Sequence, residues 1–593
     1  SETRVLAVAA TQQDDGKATF SNYGTWIDVC APGVNIYTTA YARSTGQSTY
    51  GTTQGTSFAS PLAAGVAALI WSTDPGMSAA TVSQMLRLSC DDIDDVNPGY
   101  EGRLGHGRVN LTRALADDVH QIPQEYATML DAQNCASQGH TIKVLGSEVL
   151  PRFAVIDRDL QILGGYAADY ETRDPVNTPT VVDAASTGPA LEFFGPITAN
   201  TVVDGFQLQN GIGRTFSDIP YAGKYGGGVV VSNQSPTLRN LVITGNAVGS
   251  STQLGCGGGI VLHNSDAVLE DITITENTAI LGGGLFIYQG SPTLARVVVE
   301  NNVLSADNVA NPPRGGGVHV LDATVALTDV EVRGHLGATQ GGGIYVGQVT
   351  DPATLLMTGG EVSGNTAKAN GGGIVALGGG ALELTDVVIA DNGPTPDATF
   401  MSGGAVFADG VSVSIDGGEV VGNSAQSGGG VQMTNSPAID LANVVLADNA
   451  SLIFGGTVYV TASTQAVLTN LTVASNSSVS GGAGINVAST PLTVTNTISA
   501  FNTGGTATAN GINVSNTTPV LSCNDVFGNE GMNYGGVADP TGTDGNISQD
   551  PLFCDLAGGD YAIEDGSPCA AGQSGGCGLI GALAAGCGGV SPV

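Results

Sequence analysis

The chain has 593 residues, enough for two or more domains. Its 88 glycines lack a three-residue period, which excludes collagen, and with 41% hydrophobic and 12% charged residues it is too apolar to be disordered. The net charge is −35 and no Lys or Arg follows Lys368, so residues 369–593 have no cations for nucleic-acid phosphates or an anionic membrane surface.

The chain opens at Ser1, with no signal peptide and no initiator Met, into "RVLAVAAT", an apolar run suited to a buried strand. A start on a core strand suggests truncation at the N-terminus. Residues 1–116 read as α/β. "VLAVAAT" and "WIDVCAPGVNIYTTA" are strand-like. "SPLAAGVAALIWS" is an apolar helix followed by Pro75 and Gly76, and "SAATVSQMLRLSC" is an amphipathic helix with Ser78 as N-cap. "GHGRVNLTRALAD" resembles a short strand leading into a last helix. Ser57, in "GTSFASP", stands at the start of the first helix, where free N–H groups and the positive dipole end favour a developing oxyanion. Taken alone, a serine there would serve as an N-cap.

Residues 117–139 read as a connector. From about residue 140 the pattern changes to repeats of about 28 residues. Gly-Gly pairs begin at Gly226, Gly257, Gly282, Gly315, Gly341, Gly371, Gly403, Gly428, Gly455 and Gly481. A short β-rich run follows each pair, then a turn, then a second apolar run that ends on an asparagine. Those asparagines are Asn246, Asn277, Asn302, Asn365, Asn392, Asn423, Asn449, Asn476, Asn502 and Asn529, with His335 in the same place in one repeat. A fixed period with internal alternation and no helical period predicts a β-solenoid, since stacked units bury a face that no unit buries alone. The asparagines read as structural, each amide bonding the coils above and below. Residues 140–580 form the solenoid in this reading.

Five of the nine cysteines (Cys523, Cys554, Cys569, Cys577, Cys587) crowd residues 523–593, none with CxxC spacing. Zinc is therefore disfavoured, and disulfides in a C-terminal cap, with an oxidising compartment, are expected. The odd total leaves at least one thiol free, and Cys30, Cys90 and Cys256 read as small buried hydrophobes. No apolar run is long enough for a transmembrane helix.

The repeats resemble right-handed parallel β-helix proteins of the pectin-lyase-like superfamily, closest to secreted bacterial β-helix and polymorphic outer-membrane proteins. "DPLFCDLAGGDYAIEDGSPCAAG" resembles their capping end. The segments "VLAVAAT", "FSNYGTWIDVCAPGVNIYTT", "GTSFASPLAAGVAALI" and "GHGRVNLTRAL" resemble the last part of the catalytic domain of subtilisin-like serine proteases, in order and spacing. That resemblance makes Ser57 the nucleophile, with its N–H in the oxyanion hole and Gly55 and Thr56 beside the substrate. It also places the catalytic Asp and His and the oxyanion Asn upstream, and none of those motifs occurs in this chain. His106 matches a glycine-rich turn of that family, while His120, His140, His263, His319 and His335 fall in the connector or the repeats. Leu62 and Phe58 depart from the usual family residues at packing positions.

The fold expected is mainly β: a right-handed parallel β-helix with an N-terminal partial α/β subtilisin-like domain. The function expected is a secreted or cell-surface bacterial serine endopeptidase acting on polypeptides, represented by a fragment without ordinary turnover. Its β-helix would bind a cell-surface polysaccharide or protein, or act as a spacer. Two other readings stand beside it. One is a β-helix adhesin or surface protein with a protease remnant. The other is a polysaccharide lyase or hydrolase, which would need clustered carboxylates or a basic residue in a recognisable motif. No cofactor is required. Asp28, and Asp539 with Asp544 in the oxygen-rich "DPTGTDGN", are the places where Ca2+ could sit, although both stretches also read as turns.

Overall fold

The computed structural model describes residues 5–73, 75, 77–116, 119–216, 219, 221, 223–250, 253–305, 312–398, 400–505 and 509–587. The chain divides into one unit of residues 1–148 and 155–174 and a second of residues 149–154 and 175–593.

In the first unit, β1 (Val8–Thr11) and β2 (Val29–Pro32) pair in parallel, Val8 opposite Val29 and Thr11 opposite Pro32. Arg108 adds a parallel bridge on the other side of β2 at Cys30. The turn before it needs glycine: Gly107 has φ +97°, and a Cβ there would stand 1.9 Å from the Asp91 carbonyl oxygen. Strands β3 (Ile36–Ala42) and β4 (Gln47–Thr53) form an antiparallel hairpin. Helix α1 (Thr56–Thr73) packs on β1 and β2. Gly76, which follows this helix in the sequence, lies outside the described residues. Helix α2 (Ala79–Leu88) is capped as expected, Ser78 Oγ accepting the Thr81 N–H at 3.1 Å. Helix α3 (Leu111–Ala116) follows "GHGRVN". The stretch read as a connector contains a strand, Val119–Ile122, and helix α4 (Met129–Cys135), capped by Thr128. The Val119–Ile122 strand pairs in parallel with Thr141–Leu145, which pairs with Gln161–Tyr166.

The second unit is a parallel β-solenoid, each coil laying one strand in each of three long sheets. One coil, for example, contributes Val229–Ser232, Thr237–Arg239 and Val242–Thr244. The next stacks Ile260–His263, Val268–Glu270 and Thr273–Thr275 on them in register. In the sheet that holds Val242–Thr244, the middle residue of each strand points inward. Ile243, Ile274, Val299, Val332 and Val362 form a fully buried column. The Gly-Gly pairs are steric necessities: Gly341 has φ +62°, and a Cβ on Gly342 would sit 2.2 Å from the Gly372 carbonyl oxygen of the next coil.

The asparagines form a ladder. The backbone N–H and Nδ2 of Asn246 both donate to Asn277 Oδ1, at 3.1 and 2.9 Å. Asn277 donates likewise to Asn302 at 3.0 Å. The chain of bonds resumes at Asn365 and runs through Asn392, Asn423, Asn449, Asn476 and Asn502 to Asn529. His335 fills the gap: its Nδ1 accepts the Asn302 N–H at 3.2 Å, and its own N–H donates to Asn365 Oδ1 at 3.0 Å.

The C-terminal segment carries two disulfides, Cys523–Cys577 and Cys554–Cys587, while Cys30, Cys90, Cys135, Cys256 and Cys569 are free and buried. Its apolar side chains lie along the flank of the solenoid. Phe553, Tyr561, Ile563 and Ile580 cluster with Val445, Ala447, Ala474, Ile498 and Ala500. The reason is in an outward position of that sheet. The third residue of each strand is Thr244, Thr275, Glu300, Arg333 and Ser363 in earlier coils and Ala447, Ala474 and Ala500 in the last ones. Tyr561 Oη also donates to Asp448 Oδ2 at 2.6 Å.

Candidate functional site

Ser57 lies in the first turn of α1, and its side chain is exposed. The placement starts at Gly33, just after β2. The Gly33 N–H donates to the Thr11 carbonyl at 3.0 Å, and the Gly55 N–H donates to the Gly33 carbonyl at 2.8 Å. The hairpin β3–β4 is thus closed at its base, and α1 begins over the ends of β1 and β2. A Cβ on Gly33 would meet Ala10 Cβ at 2.5 Å, and Gly55 holds φ +151°, a conformation that L side chains rarely adopt. Thr56 is the first residue of α1, beside Ser57. The role of Gly33 was missed in the sequence, although "APG" before the hairpin was its signal.

The helix starts with the Phe58 N–H donating to the Gly55 carbonyl at 3.0 Å. Among the described residues, neither Ser57 Oγ nor the Ser57 N–H has a hydrogen-bond partner. An exposed hydroxyl and an unused N–H at a helix N-terminus can present a nucleophile and one oxyanion donor together. They cannot move a proton, because a serine hydroxyl is a weak nucleophile without an adjacent base.

Among the described residues no imidazole is hydrogen-bonded to Ser57. His106 sits on the Gly105–Gly107 turn, its N–H donating to the Asp28 carbonyl at 2.9 Å, and burial followed by the Arg87 charge lowers its pKa. His120 and His140 bond each other, Nε2 to Nδ1, at 3.1 Å. His263 bonds Ser232 Oγ at 2.9 Å. His319 is stacked between Phe286 and Tyr345, and His335 belongs to the ladder.

The residues considered for Ca2+ are not gathered. Asp28 pairs with Arg87 at 3.0 Å and accepts the Ala7 N–H at 2.7 Å, tying α2 to the strand edge. Asp539 accepts the Thr541 N–H and hydroxyl at 2.9 and 2.6 Å within its own turn. Asp544 lies in the same loop at φ +49°, its carbonyl accepting the Cys523 N–H at 2.9 Å. Among the described residues no group of three or more His, Cys, Asp or Glu side chains is disposed to hold a metal ion. No described helix is long and apolar enough to cross a membrane.

Comparison with known proteins matches two separate parts of the chain. Residues 1–107 match the sequence model of the Subtilase family, and residues 316–491 match that of the right-handed β-helix region. The chain is 41% identical over 120 residues to the extracellular protease of Xanthomonas campestris pv. campestris, covering 20% of each protein. It is 39% identical over 113 residues to thermitase of Thermoactinomyces vulgaris, covering 19% of this chain and 37% of that one. It is 30% identical over 167 residues to the cell wall-associated protease of Bacillus subtilis, covering 24% and 18%. The chain therefore spans between 18% and 37% of the length of these relatives.

Proposed function

We propose that residues 1–107 are the nucleophile-bearing part of a secreted or cell-surface serine endopeptidase, with Ser57 as the attacking group and the general base on a segment outside these 593 residues. The observation that carries this reading is the pairing, among the described residues, of a free hydroxyl with a free N–H at the start of α1, after Gly33, where a Cβ would clash, and Gly55, whose φ disfavours one. In the completed site Ser57 Oγ would attack a peptide carbonyl while a histidine took its proton. The Ser57 N–H would stabilise the oxyanion, and water would release the acyl-enzyme. The solenoid would bind or space this catalytic part at a surface. That the similar proteins include an extracellular and a cell wall-associated protease supports the location.

The test is a serine-directed fluorophosphonate probe, applied to this chain and to a longer protein that restores the upstream coding sequence. The expected result is no labelling of Ser57 in the chain alone. The longer protein should be labelled strongly and should cleave casein, and Ser57→Ala should abolish both. Strong labelling of the chain alone would refute the missing base. Inertness of the longer, folded protein would favour a surface-binding protein that carries a protease remnant.

A further inference from the structure

The first unit contains a cavity of about 480 Å³, remote in sequence from Ser57, which the protease reading does not use. Its polar wall is built by Arg113, His120 and His140, and its apolar wall by Met85, Leu115 and Tyr126. The volume falls in the range of sites that hold small organic molecules. In a chain of net charge −35, no Asp or Glu is among the described residues that line it. Arg113 is held in place by a hydrogen bond from Nη1 to the Cys90 carbonyl at 3.1 Å. The two imidazoles lie nearly parallel, ring centroids 5.3 Å apart, with Nε2 of His120 bonded to Nδ1 of His140. Cys135 also faces the cavity, but burial pushes its thiol up to about 12, so it is not a thiolate at neutral pH.

We propose that this cavity binds a small organic anion, a carboxylate carried on an apolar body, with the carboxylate on Arg113 and the His120–His140 pair and the body against Met85, Leu115 and Tyr126. The guanidinium and the imidazoles among the described lining residues favour negative charge. An anion beside the imidazoles favours their charged form, so binding takes up a proton and tightens as pH falls. Carboxylates also stand near the lining residues. Asp91 stands 3.9 Å from Arg113, and Asp159 accepts from Gln138 Nε2 at 3.1 Å. Glu125 accepts the Gln121 N–H at 3.1 Å, and Asp131, on α4, accepts the hydroxyl of its cap Thr128 at 2.7 Å. This site is independent of any role for Ser57.

The test is calorimetric titration of the whole chain with 4-phenylbutyrate and with its neutral primary amide, at pH 6 and pH 8. The expected result is one site for the carboxylate, at least about tenfold weaker binding of the amide, and tighter binding at pH 6. His140→Gln, which keeps a hydrogen-bonding side chain, and Arg113→Gln should each weaken the carboxylate by about tenfold or more. Should Arg113→Gln fail to fold, the imidazole NMR signals of His120 and His140 in the unaltered chain provide the second readout, shifting on titration. Equal affinity for acid and amide, binding unchanged in the His140→Gln variant, or no binding at ~10 mM ligand would overturn the proposal.

Discussion

The two units handle their apolar surface in opposite ways. In the solenoid the column from Ile243 to Val362 is fully buried, because every coil covers the one before it. In the first unit α1 is apolar nearly all round, yet Leu62, Leu69 and Trp71 are 41, 44 and 55% exposed. A helix with that composition belongs in a core. Here it lies on a sheet of only two strands, and only Ala59, Ala63 and Ile70 are buried. The hairpin beside it is similar, with Tyr37, Tyr41 and Tyr50 on one exposed face. A repeat supplies its own partner surface, whereas an α/β helix depends on strands that come from elsewhere in the chain.

The contrast can be broken hardest at the ladder. Asn392 Oδ1 accepts both N–H groups of Asn365, and its Nδ2 donates to the Val362 carbonyl at 2.8 Å. Asn392→Ala leaves those buried groups unpaired and should cost about 3–5 kcal/mol in urea unfolding of the solenoid. The exposed Asn435, bonded to Asp409 at 2.8 Å on the outside, should cost less than ~1 kcal/mol when changed to Ala.

Acid should reach the ladder through His335, whose pKa burial lowers to about 4. The unfolded chain takes that proton near pH 6.5, while the folded one refuses it until about 4. Its contribution is present above the unfolded value and is lost as pH falls between the two, by about 3 kcal/mol at pH 4. Chemical denaturation of His335→Asn, which restores the asparagine of the other repeats, should show a shallower loss of stability over that window than the parent protein. Equal slopes would mean that the imidazole is protonated in the folded state.

The Cys523–Cys577 bridge closes a long loop, and Cys577→Ser should lower the stability of the C-terminal segment by about 2–4 kcal/mol. Limited proteolysis should then cut within residues 551–587 while the upstream coils stay protected. The smallest effect should come from α1. Leu69→Ser and Trp71→Ser should change the stability of this chain by less than ~0.5 kcal/mol and reduce its binding of a hydrophobic dye. The same changes should cost about 2–3 kcal/mol in the longer protein, if its added segment covers that face.

The sequence was most informative where local rules repeat. The Asn246 to Asn529 series, including the substitution at His335, was readable because a recurrent residue in a recurrent turn meets itself in the next coil. The place of Ser57 at the helix start was readable because "GTSFASP" combines a glycine entry with an N-terminal hydroxyl, although Pro61 falls beyond the first turn of α1. The position of the C-terminal segment on the flank was not, because it depends on the outward residues of strands a hundred positions upstream. His120 and His140 read as connector residues in the sequence, since nothing in the spacing of two lone histidines shows that parallel strands bring them together.

The amino-acid sequence by itself determined the two-part architecture, the ladder and the serine at the helix start, because each rests on periodicity or on contacts a few residues apart. Only the tertiary structure decided which surfaces are covered, which cysteines pair, and that no imidazole is hydrogen-bonded to Ser57 among the described residues. Those outcomes depend on side chains far apart in the chain, and their meeting is set by how whole sheets pack.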